Sequence, residues 1–100
     1  MARKIRWSLK ASEQLFDSLE YWKTNNHNSN YASKLFEEVE SILDLICRFP
    51  ELGRKTVNPN VRRVVIERNY GLYYSYDNET VEIKLWKSLK MDPEKNEFEN

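Results

Sequence analysis

Between Val61 and Trp86 apolar and aromatic residues alternate with polar ones over three successive runs. That pattern predicts antiparallel strands at 61–68, 70–76 and 80–86. Asp77-Asn78-Glu79 supplies turn residues between the last two, so they form a hairpin. If Tyr76 faces Val81, then Tyr74 faces Ile83 and Leu72 faces Leu85, all on one face. The opposite face then carries Tyr73, Ser75, Glu82, Lys84 and Trp86. One face calls for an apolar cover; the other is polar, aromatic and partly basic, and is where binding chemistry is expected.

The cover comes from the N-terminal half. Lys4-Ile5-Arg6-Trp7 alternates and predicts a short first strand. Ser8 is placed to cap a following helix whose stripe is Ala11, Leu15, Leu19 and Trp22, with Phe16 beside it. The Asn-rich run at 24–30 breaks that helix, and His27 within it reads as a solvated side chain. Asn28 or Ser29 caps a second helix with apolar positions Ala32, Leu35, Phe36, Val39, Ile42, Leu43 and Ile46. Glu37, Glu38, Glu40 and Asp44 take its wet side. Pro50 ends it, Gly53 permits a tight turn, and Phe49 and Leu52 are expected to plug the bottom of the core. Asn58-Pro59-Asn60 makes a further turn. The result is an α+β fold: an N-terminal strand, then an antiparallel helical hairpin packed on one face of a twisted, mainly antiparallel β-sheet.

Composition narrows the class. The chain has 100 residues, enough for one domain with a modest core, and is 40% hydrophobic and 32% charged. No run reaches the length of a membrane span, and no signal-peptide pattern opens the chain. Cys47, the only cysteine, excludes an internal disulfide, and the expected location is the cytoplasm. No neighbouring base is placed to activate Cys47, which reads as packing. Sixteen basic and sixteen acidic residues cancel, but they are segregated. The last ten residues hold four acids and one lysine, net −3, leaving the first ninety at +3. The expected organisation is one domain over 1–93 and a flexible acidic tail over 94–100. That tail is a candidate screen for the basic face.

Several motifs, in order, carry a resemblance: Trp7-Ser8 with Ala11; Tyr31-Ala32 with Leu35; Phe49-Pro50-Glu51-Leu52-Gly53-Arg54; Val61-Arg62-Arg63-Val64-Val65-Ile66; Asn69-Tyr70-Gly71-Leu72-Tyr73-Tyr74; and Lys90-Met91-Asp92-Pro93. Together they resemble the RelE/ParE superfamily of toxins from bacterial type II toxin–antitoxin systems. The resemblance implies the fold read above, a growth-inhibiting activity and a cognate antitoxin that neutralises it. It implies no metal and no cofactor.

Two targets follow from the resemblance. RelE-like members cut messenger RNA on the ribosome: basic side chains hold the phosphates while the 2′-OH attacks, so positive charge must converge where the transition state gathers negative charge. ParE-like members act on DNA gyrase without chemistry of their own. On the nuclease reading Arg62 matches a basic strand position and Lys90 a C-terminal one, usually arginine, with Arg54 the third catalytic candidate. Arg63, Lys55, Tyr73, Lys84 and Trp86 are the candidate RNA- or target-binding residues, with the aromatics also available to antitoxin. Gly71 stands where the nucleases carry arginine, no tyrosine follows Lys90, and the 49–54 motif looks ParE-like. Ribosome-dependent cleavage is the leading expectation. Gyrase inhibition, or a decayed member that only binds antitoxin, is the alternative. The register of the first long strand decides which of Arg62 and Arg63 faces outward: pairing Val65 with Leu72 turns Arg62 out, and pairing Ile66 with Leu72 swaps them. Comparison with the family favours Arg62.

Overall fold

A computed structural model describes residues 3–25, 29–89 and Phe98. The elements in chain order are strand β1 (Lys4–Trp7), helix α1 (Leu9–Asn25), helix α2 (Ser29–Arg48), a 3₁₀ turn (Pro50–Leu52), and strands β2 (Arg54–Lys55), β3 (Arg62–Ile66), β4 (Tyr70–Tyr76) and β5 (Thr80–Ser88). The five strands form one mixed sheet in the order β1-β5-β4-β3-β2, with β1 parallel to β5 and the other pairs antiparallel.

Helix α1 starts where Ser8 caps it. The Ser8 hydroxyl accepts the Ala11 amide at 3.1 Å and donates to the Lys84 carbonyl at 3.3 Å, tying the helix start to β5. The helix runs to Asn25, past the expected break, where the Thr24 hydroxyl donates back to the Glu20 carbonyl at 2.9 Å. The cap expected from Asn28 or Ser29, and His27, lie outside the residues whose side chains are described. In α2 the buried stripe is Leu35, Val39, Ile46 and Cys47. Phe36 is 44% exposed and Phe16 62%, so both stand beside the stripe rather than in it.

The sheet face under the helices carries Val64, Ile66, Leu72, Tyr74, Val81, Ile83 and Trp86. Two departures from the alternating pattern decide what lies on each side. First, β5 bulges. Tyr74 pairs with Ile83 and Tyr73 with Leu85, leaving Lys84 without a partner on β4. The extra residue advances the alternation by one, so Leu72 faces Trp86 and not Leu85. Trp86 therefore lies in the main core, 1% exposed and stacked on Tyr70 at 4.9 Å, instead of on the open face. Leu85 moves to the open face, opposite Tyr73.

Second, β3 pairs Val64 with Leu72 and Ile66 with Tyr70, so its even-numbered residues share the helix side. Arg62 goes inward with them, opposite Tyr74, and Arg63 goes outward, opposite Tyr73. The expectation for Arg62 is thus reversed. The strand also ends earlier than expected, because Glu67 and Arg68 take positive φ (55° and 64°) and turn the chain into β4.

Beyond Ile83, no strand among the described residues pairs with β5 on the β1 side, and α1 serves in its place. The Gln14 side-chain oxygen accepts the Trp86 amide at 3.1 Å, and the Ser18 hydroxyl accepts the Trp86 indole N–H at 2.9 Å. At the other end of the sheet Phe49 and Leu52 are exposed and do not plug the core. Tyr74 closes that end instead. Its hydroxyl accepts the Gly53 amide at 2.9 Å and donates to the Pro50 carbonyl at 2.7 Å.

Candidate functional site

The open face is built row by row from paired strand residues, which share a side. One row reads Arg54, Arg63, Tyr73, Leu85 across β2, β3, β4 and β5. The next holds Val65, Gly71 and Lys87, and a third places Ser75 beside Glu82 and Arg6. At the centre Tyr73 and Leu85 are buried together with Val61 and Phe98, a small apolar cluster on the far side of the sheet from the main core. Lys84, at the bulge, ends 3.6 Å from the Glu82 carboxylate.

The candidates named from sequence divide between two surfaces. Arg54, Arg63 and Tyr73 share the open face. Lys55 and Arg62 pair with each other on the opposite side. The Arg62 guanidinium donates to the Gly53 carbonyl at 2.8 Å and the Glu51 carbonyl at 3.3 Å, so it staples the 3₁₀ turn to the sheet edge. Trp86 is in the core and Tyr73 is fully covered, so neither ring is open to a base in this state. Lys90 lies outside the described residues. Arg54 and Arg62 therefore do not converge.

Arg6, Lys87, Leu85, Val61 and Phe98 belong to this face and were not singled out by sequence reasoning. Leu85 was assigned to the core by simple alternation, and only the bulge moves it. Phe98 is the one apolar residue of the 94–100 tail, and that isolation is the signal that could have found it.

Among the described residues, two of the hollows on the helical side border α1. One, of about 340 Å³, runs between the helices and is lined by Trp7, Leu15, Phe16, Leu19, Phe36 and Leu43, with Glu40 and Ser12 at its edge. The other, of about 440 Å³, lies between α1 and the β3–β4 turn and is bordered by Asp17, Tyr21, Trp22, Asn69 and Tyr70. Inside it the Trp22 indole donates to the Tyr70 hydroxyl at 2.6 Å. Burial pushes the hydroxyl of Tyr31 above the ordinary tyrosine value, with the Glu67 carboxylate adding to the shift. Burial likewise raises the Cys47 thiol, with Asp44 as a second cause. Among the described residues no group of three His, Cys, Asp or Glu side chains is placed to hold a metal ion. No helix among them is long and apolar enough to cross a membrane.

The protein is thus two-layered, with its helices on one side and a basic, partly apolar sheet face on the other. The model of the family described as "ParE toxin of type II toxin-antitoxin system, parDE" matches residues 5–87, and the chain belongs to that family. The fold is also that of a chain in a solved structure titled "Chromosomal ParDE TA system from P. aeruginosa". The two are 14% identical with a TM-score of 0.69, over 87% of this chain and 96% of that one. No curated protein matches the sequence.

Proposed function

We propose that this chain is the toxin of an antitoxin-controlled pair and that it arrests growth by binding its target, DNA gyrase, rather than by cutting messenger RNA. The observation that carries this choice is the split between Arg54 and Arg62. Phosphate cleavage without a metal needs cations that converge on the charge gathered in the transition state. Here Arg54 faces outward, while Arg62 faces the helix layer and donates to two backbone carbonyls of the 3₁₀ turn. Membership of the ParE family supports the same reading.

The cognate antitoxin belongs on the helical side. The expected aromatic contacts, Tyr73 and Trp86, are buried, whereas Phe16 and Phe36 stand exposed along the 340 Å³ groove between the helices. An apolar channel of that form suits the apolar stripe of a partner helix.

The test is a pulse of expression without antitoxin, with DNA integrity and translation followed separately, beside a supercoiling assay with purified protein and gyrase. Loss of supercoiling and DNA damage with translation intact are the expected results. Cleaved messenger RNA with normal supercoiling would overturn the proposal in favour of the nuclease reading. Harmless expression would overturn it in favour of a member that only binds antitoxin.

A further inference from the structure

The apolar cluster on the open sheet face is filled from the far end of the chain. Phe98 is 6% exposed and its ring stacks on Tyr73, with centroids 5.6 Å apart and planes 28° from parallel. Val61 and Leu85 complete the slot. The Phe98 carbonyl also accepts the Val57 amide at 3.2 Å, so backbone as well as ring is held. Tyr73, the floor of the slot, pairs with Arg63, which pairs with Arg54. In sequence Phe98 stands between Glu97 and Glu99, within a ten-residue end of net charge −3. The ring seated beside Tyr73 thus has an acid as each neighbour in sequence, and the row that holds Tyr73 begins with two arginines.

We infer that the open face is a docking slot for an aromatic residue flanked by carboxylates, occupied in cis by Phe98, and that this occupant closes the Arg54–Arg63 row to anionic partners until it is displaced. Apolar contact and charge act together here. The ring fills a hole that would otherwise expose Val61, Tyr73 and Leu85 to water, and the carboxylates next to it in sequence carry the charge that arginines attract. The inference does not depend on the target proposed above, because it concerns which face is closed and by what.

The test uses the full chain in three forms: unaltered, Phe98→Ala, and Glu97→Gln with Glu99→Gln. The first probe is a blocked peptide of residues 94–100. It should bind the Phe98→Ala protein and shift the NMR signals of Tyr73 and Leu85, while a peptide with alanine in place of phenylalanine should not. The second probe is an oligouridylate octamer, used only as a polyanion. Its affinity should rise about tenfold in Phe98→Ala. Freeing two arginines should also steepen the plot of log affinity against log salt by about 1.4, at roughly 0.7 per contact on a single strand. The double glutamine variant keeps the ring and should show a smaller rise in affinity, so the inference remains testable if Phe98→Ala does not fold. The third reading is hydrogen exchange. The Val57 amide should exchange faster than core amides such as Ile83, through release of the chain end alone. Exchange of Val57 only on global unfolding, or unchanged octamer affinity in every variant that folds, would make Phe98 a permanent part of the core and overturn the inference.

Discussion

The hydroxyl of Tyr74 should govern the end of the sheet that Phe49 and Leu52 leave open. Tyr74→Phe removes two hydrogen bonds, one from the Gly53 amide and one to the Pro50 carbonyl. Each is worth about 1 kcal/mol net, and a buried amide left unpaired adds its own desolvation penalty of about 1–3 kcal/mol. The Pro50 carbonyl is only partly buried and can take water, so its bond adds little and the Gly53 side alone sets a loss of at least about 2 kcal/mol. For a domain of this size that lowers Tm by roughly 8–16 °C.

Gly53→Ala attacks the same contact from the other side. Gly53 has φ −73°, an ordinary conformation, so alanine adds no backbone strain. Its Cβ, however, would stand 2.6 Å from the Tyr74 hydroxyl oxygen, 2.9 Å from Cε1 and 3.0 Å from the Arg63 carbonyl. Overpacking of that kind costs about 1–3 kcal/mol. With phenylalanine at 74 the nearest of the three atoms is gone. The double variant should therefore be less destabilised than the two singles together, by about 1 kcal/mol. Urea denaturation followed by circular dichroism measures all four corners of the cycle. Additivity within about 0.5 kcal/mol, or a Tyr74→Phe loss below that figure, would refute the reasoning. Alkali provides an independent check. Burial raises Tyr74 above the ordinary 10.0, so the folded state keeps the neutral phenol longer than the unfolded state does. That contribution is complete below pH 10 and is lost as pH climbs through the raised value. Tyr74→Phe should flatten the decline, leaving the share due to Tyr31, whose hydroxyl is shifted the same way.

Four other outcomes are expected. Arg68→Gly should raise stability by about 0.5–1 kcal/mol in thermal melts, since φ 64° burdens a side chain that glycine lacks; a lower Tm would contradict the turn geometry. Trp86→Ala should cost about 3–5 kcal/mol as a core truncation, whereas a loss within about 0.5 kcal/mol would return Trp86 to the surface. Cys47, buried and with its thiol pushed up, should react with iodoacetamide at pH 8 far more slowly than a free thiol, and equal rates would count against its burial. The Asp77 carboxylate accepts the amides of Glu79 and Thr80 at 2.8 Å each, which hold it below its ordinary 3.8. Its support of the β4–β5 turn should be present above that value and fade as pH falls through the lowered one, a slope that Asp77→Ala should abolish.

The helices, β1 and the Asp77 turn were legible in the sequence because each rests on local signals. Ser8 precedes a stripe at helical spacing, Ile5 and Trp7 alternate with Lys4 and Arg6, and Asp77 can bond its own following amides. The number of faces, and that one of them needed helices, followed from the same spacing. The occupants of each face did not. Strand alternation has period two, so one unpaired residue exchanges every side chain beyond it. Lys84 is such a residue, and it moved Trp86 into the core and Leu85 out. The turn at Glu67 and Arg68 set β3 against β4 so that Arg62 went inward and Arg63 outward, a choice settled by pairing between strands and by no property of the two arginines. The two-residue β2 is too short to carry a period and exists only because β3 lies beside it. Phe98 could be recognised as an isolated apolar residue, but the slot it fills is assembled from β3, β4 and β5 and their flanks, and comes into being only when those distant segments pack.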